Sequence, residues 1–451
     1  MEGQKMSDLF ESRPEAGFGC VFFDREDDGS GHLEPRYGKG WFSIEGQKAE
    51  RFADPKQLDG DVRWLTNLDK KQFWLSSAVS NKSLRHSGYL RVALSQLMQE
   101  TGLLTTDLTA AGVCERLSEI YSRVSKFARV HYGILEFKEP DLKEQIARAL
   151  AINDQPISME VDEALRRSWQ EVVSLKLPGQ ESKRGMVFRR PRLAHANAIL
   201  KTPIPTGKWE FLDARSMPVE GARLDWLFSK NRPFLAKVRV GDAFETEQSR
   251  QVAKLLSFSD PLANGARKRD RDWMCSNELF YWAQHARIEP LAVFMAEGAE
   301  LMPKSPGILD MGPLSEQSIS LGLLAESHWM ALAGRARHPA ARSAALVSPR
   351  AAFLRAADRF LCFCSALEMQ SRGFEPISYG MGSVALAYPS RATSVGELGE
   401  ALQGAGLLAP TGLFESLRIK GAKSKSLEQT LGDKDRQHLE SRLDGFREQE
   451  E

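Results

Sequence analysis

The apolar positions of this chain change period repeatedly, and each change predicts an element. Phe234, Ala236, Val238 and Val240 alternate with Leu235, Lys237 and Arg239. A period of two predicts a strand with one apolar face and a second face carrying mostly cations. Trp209 and Phe211 alternate with Lys208 and Glu210 in the same way. Aromatic-rich runs at Gly17–Phe23, Trp41–Ile44 and Arg63–Leu75 predict strands near the start, and Leu291–Met295 and Ile377–Tyr388 predict two more later on.

Elsewhere the period is helical. Leu108, Val113, Leu117, Ile120, Val124 and Phe127 recur at three- to five-residue spacing, one face of an amphipathic helix. Ser87–Glu100 reads as a helix closed by Gly102, Pro140-Asp141 opens a short one, and Ser158 caps one containing Val161, Leu165, Trp169 and Val172. Ser276 fits the N-cap of a helix through Leu279, Trp282 and Ala286, and Ser394 to Glu397 forms a capping box for another. The clearest helix is Pro349–Arg372, with Ser348 as N-cap, Pro349 at the first helical position and Gly373 as terminator.

Strands and helices interleave too irregularly for a βαβ array, so the expected fold class is α+β, with mixed or antiparallel sheets and packed helices. At 451 residues the chain is long for one core. The polar stretch Lys176–Arg184, with its Pro and Gly, is the expected boundary between an N-terminal domain, 1–178, and a C-terminal domain, 185–424. Residues 425–451 are expected to form a charged helical tail with Leu427, Leu431, Leu439, Leu443 and Phe446 on its docking face.

Composition narrows the class. Hydrophobic residues at 42%, charged residues at 27% and a formal net charge of +1 describe a folded globular chain rather than a disordered one. The longest apolar run, around Phe360–Cys364, is far short of the ~20 residues that span a bilayer, so no membrane is expected as a partner. Five scattered cysteines and a polar N-terminus argue for a cytoplasmic location and against disulfides.

Motif chemistry is sparse. Asp24, Glu26, Asp27 and Asp28 follow a predicted strand, where carboxylates of a metal-dependent nuclease can sit, but Pro35 occupies the position at which a calcium loop needs its bidentate Glu. A solvated turn is the plainer account. Gly380-Met381-Gly382 carries the letters of a dinucleotide fingerprint, yet Pro389 falls where the phosphate-binding helix should begin. The eight histidines include no HExxH pair. Cys362 and Cys364 lie within the clearest helix, where packing is expected, and Glu326-Ser327-His328 has no nucleophile elbow around it. No catalytic residue, metal or cofactor is assigned.

Charge is the remaining signal. Residues 181–272 hold nineteen basic against eleven acidic side chains, a net of +8, and six arginines face one acid, Asp358, between Arg335 and Arg359. Residues 18–69 and 426–451 each carry a net of −4. Cations gathered near aromatic residues suit nucleic-acid binding. The expected phosphate contacts are Lys183, Arg184, Arg189, Arg190, Arg192, Lys237, Arg239, Arg267, Lys268, Arg269, Arg271, Arg350 and Arg355. The expected function is a non-catalytic, DNA- or RNA-binding subunit of a larger nucleoprotein complex of phage, plasmid or defence type. Two alternatives stand beside it: an assembly protein with tryptophans such as Trp41, Trp64 and Trp74 as contact anchors, and the metal-dependent nuclease centred near Asp24.

Overall fold

The computed structural model describes residues 17–27, 33–68, 84–85, 110–134, 142–152, 156–169, 172–175, 185–243, 273–303, 316–334, 336–337, 345–346, 348–387 and 395–408, with 246, 249, 252 and 255 as single positions. The fold class is α+β, built from separate antiparallel and mixed sheets with helices packed on them. The described residues fall into two compact units, one formed by residues up to 134 with 316–321 and the other by 142–303 with 322–408. No described helix is long and apolar enough to cross a membrane.

The first unit is a five-stranded mixed sheet and a helix. Strands β1 (Phe18–Asp27), β2 (Leu33–Ile44), β3 (Glu50–Phe52), β4 (Arg63–Thr66) and β5 (Leu84–Arg85) take the order β3-β2-β1-β4-β5. Strand β1 pairs antiparallel with β2 and parallel with β4. As the central strand, β1 is apolar on both faces. Val21 and Phe23 join Phe52, Leu58, Val62, Trp64 and Leu68 in one core cluster. On its other face lies helix α1 (Ala110–Tyr132), where the Cys114 thiol donates to the Cys20 carbonyl at 3.2 Å and Ser43 and Ser118 share a 2.7 Å hydrogen bond. Gly40 is fixed by contact, because a Cβ there would run into the Phe22 carbonyl oxygen.

The second unit opens with α2 (Leu142–Ala149) and α3 (Met159–Ser168), whose N-cap is Ser158 as the sequence predicts. Its first sheet, in the order β6-β14-β15-β7, joins β6 (Val172–Ser174), β7 (Gly185–Arg189), β14 (Pro376–Gly380) and β15 (Ser383–Ala387). Residues 176–184, where the sequence expects a boundary, lie outside the described residues, and the strands on either side of them belong to this one sheet. Helix α4 (Arg192–Ile199) follows β7.

A second sheet comes from the run β8 (Pro203–Asp213), α5 (Arg223–Ser229), β9 (Phe234–Ala243), β10 (Trp273–Cys275), α6 (Ser276–Trp282) and β11 (Ala286–Leu301). The strand order is β10-β9-β11-β8, so β11 inserts between β8 and β9, a split βαβ arrangement. Helices α5 and α6 cover one face through Leu227, Leu279 and Trp282, packed with Phe234, Ala236, Val238 and Val293. Leu235, Trp273 and Phe294, on the other face, pack into a core shared with α3, α4, α7 (Glu316–Leu332) and α8 (Pro349–Ser371). A two-stranded ribbon, β12 (Ala336–Arg337) and β13 (Ala345–Leu346), precedes α8, and α9 (Val395–Gly404) ends the described chain.

Local signals for α8 hold residue by residue. Ser348 Oγ accepts from the Ala351 N–H at 3.0 Å, Pro349 occupies the first turn, and Gly373 leaves the helix at φ 84°. Ser348→Ala is expected to cost about 1 kcal/mol, read as a shifted urea midpoint at unchanged slope. Several sequence expectations change: Val172 and Ala286, expected within helices, lie in strands β6 and β11. Ser276 is the first helical residue rather than the cap; its hydroxyl instead accepts from the Phe234 N–H of the neighbouring strand at 3.3 Å. Ile377–Tyr388 is a hairpin rather than one strand, because Gly380, Met381 and Gly382 all have positive φ and reverse the chain. Residues 24–27 extend β1 rather than forming a turn. The expected helix at 87–100 and the charged tail at 425–451 lie outside the described residues.

Candidate functional site

The expected cation set separates into three groups. Lys183, Arg184, Arg267, Lys268, Arg269 and Arg271 lie outside the described residues. Arg350, Arg355 and Arg192 are buried at 9%, 6% and 7% exposure, which removes them from any phosphate-facing surface. Arg350 Nε donates to the Leu332 carbonyl at 2.7 Å, and Arg192 pairs with Glu326 at 3.1 Å. The Arg355 guanidinium stands 5.0 Å from the Trp329 ring centroid and 6.0 Å from that of Trp169, a buried cation held by aromatic faces. Arg190 is half-buried and donates to the Leu361 carbonyl at 3.2 Å and to the Ser365 hydroxyl. Arg189, Lys237 and Arg239 keep solvent-facing surface.

Lys237 and Arg239 occupy one face of β9, two residues apart, and their exposure rises along the strand from buried Leu235 through half-buried Lys237 to exposed Arg239. Arg239 makes an exposed ion pair with Glu220, while Glu289, opposite Arg239 in register, is held by Arg223 at 2.7 Å. Across the sheet, Leu235 is opposite Phe294 and Phe294 is opposite Phe211, so all three side chains share that face. Trp273 stacks on Phe294 with centroids 5.3 Å apart and an interplanar angle of 20°. Phe211, on edge strand β8, is 5.2 Å from Phe294 and 56% exposed.

A buried polar cluster missed by sequence reasoning lies where α8, α4 and the β14–β15 hairpin meet. Asp358 is fully buried; its Oδ1 accepts from His195 Nε2 and from the Gly382 N–H, each at 2.8 Å, and its Oδ2 accepts from the Met381 N–H at 2.8 Å. Burial alone would raise the Asp358 pKa. The hydrogen bond and charge of His195, the Gly382 N–H and the Arg355 charge outweigh that and hold it below the ordinary value. His195, Asp358 and Cys362 place ligand atoms within 4.8 Å of one another, a donor set that zinc accepts. Zinc needs a thiolate, however. Burial, reinforced by the Asp358 charge, pushes the Cys362 thiol well above its ordinary pKa, and three N–H groups already fill the carboxylate. The cluster is a clamp on the hairpin. Asp358 was visible in the sequence only as the one acid among six arginines, and nothing there connected it to His195.

The carboxylates near Asp24 are placed differently from the expectation. Asp24 sits at an irregularity in the β1–β2 register, is 8% exposed, and takes both guanidinium arms of Arg51, with Nη1 2.8 Å from Oδ1. Asp28 and the side chains of Glu26 and Asp27 lie outside the described residues. Arg51 also stacks over Trp41 at 5.3 Å. Trp64 is fully buried and donates to the Asp59 carbonyl at 2.9 Å, so it is a core residue and not a contact anchor; Trp74 is outside the described residues. Glu326 and His328 point apart, the first to Arg192 and the second to the Pro303 carbonyl at 3.1 Å.

No protein-family model matches the sequence, and no curated protein matches it. Among solved structures the chain is similar to the phi29 DNA polymerase complexed with primer-template DNA and incoming nucleotide, at 10% identity and a TM-score of 0.38, covering 85% of this chain and 82% of that one. The same polymerase complexed with single-stranded DNA gives 10% identity and a TM-score of 0.40, over 84% and 81% of the two chains. Likeness at this level assigns neither fold nor function.

Proposed function

We propose that this protein binds nucleic acid through cationic surface of its second unit, without cleaving it, as a subunit of a larger nucleoprotein complex. The observation that carries the reading is the pair Lys237 and Arg239, side by side on one sheet face in the segment whose net charge is +8. Arg189, 40% exposed beside Glu326, and the basic residues 183–184 and 267–271 of the same segment extend the supply of cations. The Arg239–Glu220 pair does not compete strongly with phosphate. Both side chains are more than 60% exposed, and ion pairs so hydrated contribute about 0–1 kcal/mol.

Binding through phosphates releases counterions, so affinity should fall by about 0.7–0.9 log units per contact for each tenfold rise in salt. The Lys237→Glu/Arg239→Glu double variant should remain folded and bind more weakly. Its salt slope should be shallower than wild type by about 1.4–1.8, the loss of two contacts. Fluorescence anisotropy on single- and double-stranded DNA and RNA, at four salt concentrations, reads all of this. Wild type that binds none of them at low salt removes the proposal; a double variant with the wild-type slope moves the interface elsewhere.

A further inference from the structure

We infer that the open end of the β8–β11 sheet face is a stacking platform for an unpaired base, so that the ligand is single-stranded nucleic acid, with Phe211 taking the base and Lys237 and Arg239 taking the phosphates that follow. This rests on the nucleic-acid reading and sharpens it. The face is buried where Leu235, Trp273 and Phe294 meet the helices, and it opens towards Phe211, Lys237 and Arg239. Three aromatic rings run across it in contact, Trp273 to Phe294 to Phe211, and the ring that reaches solvent is the last. Phe294 packs against Phe211 at an interplanar angle of 48°, and more than half of Phe211 stays exposed, surface on which a base can stack.

The spacing matches a strand laid diagonally. Phe211 is opposite Phe294, and Lys237 is opposite Ala292, two residues before Phe294 on β11 and one strand further across. With strands ~4.8 Å apart and ~3.4 Å per residue, the two positions are about 12 Å apart on one face. Arg239 continues the line away from Phe211 on β9. Lys237 and Arg239 supply cations for phosphates, beside the carboxylates of Asp213 in the register row of Lys237 and of Glu289 opposite Arg239, and the exposed aromatic ring requires that the bases be unpaired. A duplex hides its base faces and presents only phosphates to such a surface.

The test compares 15-mers of oligothymidylate and oligouridylate with a blunt duplex of equal length, using the full chain and anisotropy at several salt concentrations. Wild type should prefer the single strands. Phe211→Leu keeps an apolar cover on Phe294 but has no π face, and should lose roughly tenfold in single-strand affinity at an unchanged salt slope. Phe211→Trp should bind at least as well as wild type, and both variants should unfold at the wild-type urea midpoint. Phe211→Leu binding like wild type, or a duplex bound as tightly as the single strands, overturns the platform and leaves the nucleic-acid reading standing. Loss of all binding by wild type removes that reading, and the platform with it.

Discussion

Asp358→Ala is expected to remove about 3–5 kcal/mol of folding stability, a loss comparable to breaking a buried ion pair. The carboxylate is fully buried and receives three N–H groups at 2.8 Å, from His195, Met381 and Gly382. Each donor left unsatisfied in the interior costs about 1–3 kcal/mol. Two of them belong to the turn residues Met381 and Gly382, and Met381 takes φ 55°, a conformation disfavoured for a residue with a side chain. Urea unfolding followed by circular dichroism measures the loss, and a change below about 1 kcal/mol would show that the hairpin holds its shape without the clamp.

The same group sets a pH signature. The folded-state pKa of Asp358 is depressed, so its contribution is fully present above the unfolded value of about 3.9 and is lost as pH falls through the lower folded value. Asp358→Asn keeps the shape but not the charge. Comparing stability at pH 5 and pH 3, the variant should lose less than wild type over that interval, although it starts from a lower level.

What was legible in the sequence was local. Ser348, Pro349 and Gly373 specify the ends of α8 because capping is decided within a turn of the chain, and the Phe234–Val240 alternation specifies β9 because the strand period is two. The hairpin at 376–387 was misread because its turn is Gly-Met-Gly, without the Asn-Gly or Asp-Gly pair that usually announces one. The strand extension to Asp27 was hidden because acidic residues read as a turn unless a partner such as Arg51, distant in sequence, is known to take the charge.

Charge counting met the same limit. The six arginines between Arg335 and Arg359 read as a basic surface, yet Arg350, Arg355 and Arg359 are all interior, each held by a partner that composition does not reveal. Net charge along a segment says how many cations are present and nothing about which face of a helix they occupy. Only where the period itself assigns a face, as at Lys237 and Arg239, does the sequence say which cations meet solvent. The His195–Asp358 contact spans 163 residues and leaves no trace in either pattern.

Breaking the Arg359–Glu278 pair from one side is expected to destabilise the fold by about 3–5 kcal/mol, while removing both charges should cost less than either single change. Arg359 in α8 is 2% exposed and Glu278 in α6 is 0% exposed; Nη2 donates to Oε1 at 2.9 Å and Nε to Oε2 at 3.4 Å. Burial by itself would lower the Arg359 pKa, but the Glu278 charge and hydrogen bond more than offset it and hold the guanidinium above its ordinary value. Arg359→Met therefore takes the guanidinium away from the buried Glu278 carboxylate, and Glu278→Met takes the carboxylate away from the buried guanidinium. In the double variant neither charge remains, and two methionines of adaptable shape fill the space between α6 and α8. A double-mutant cycle by urea unfolding should therefore give a coupling energy larger than either single loss, above about 3 kcal/mol. Additive single losses would mean that each charge is satisfied by other groups and that the pair does not fasten α8 to α6.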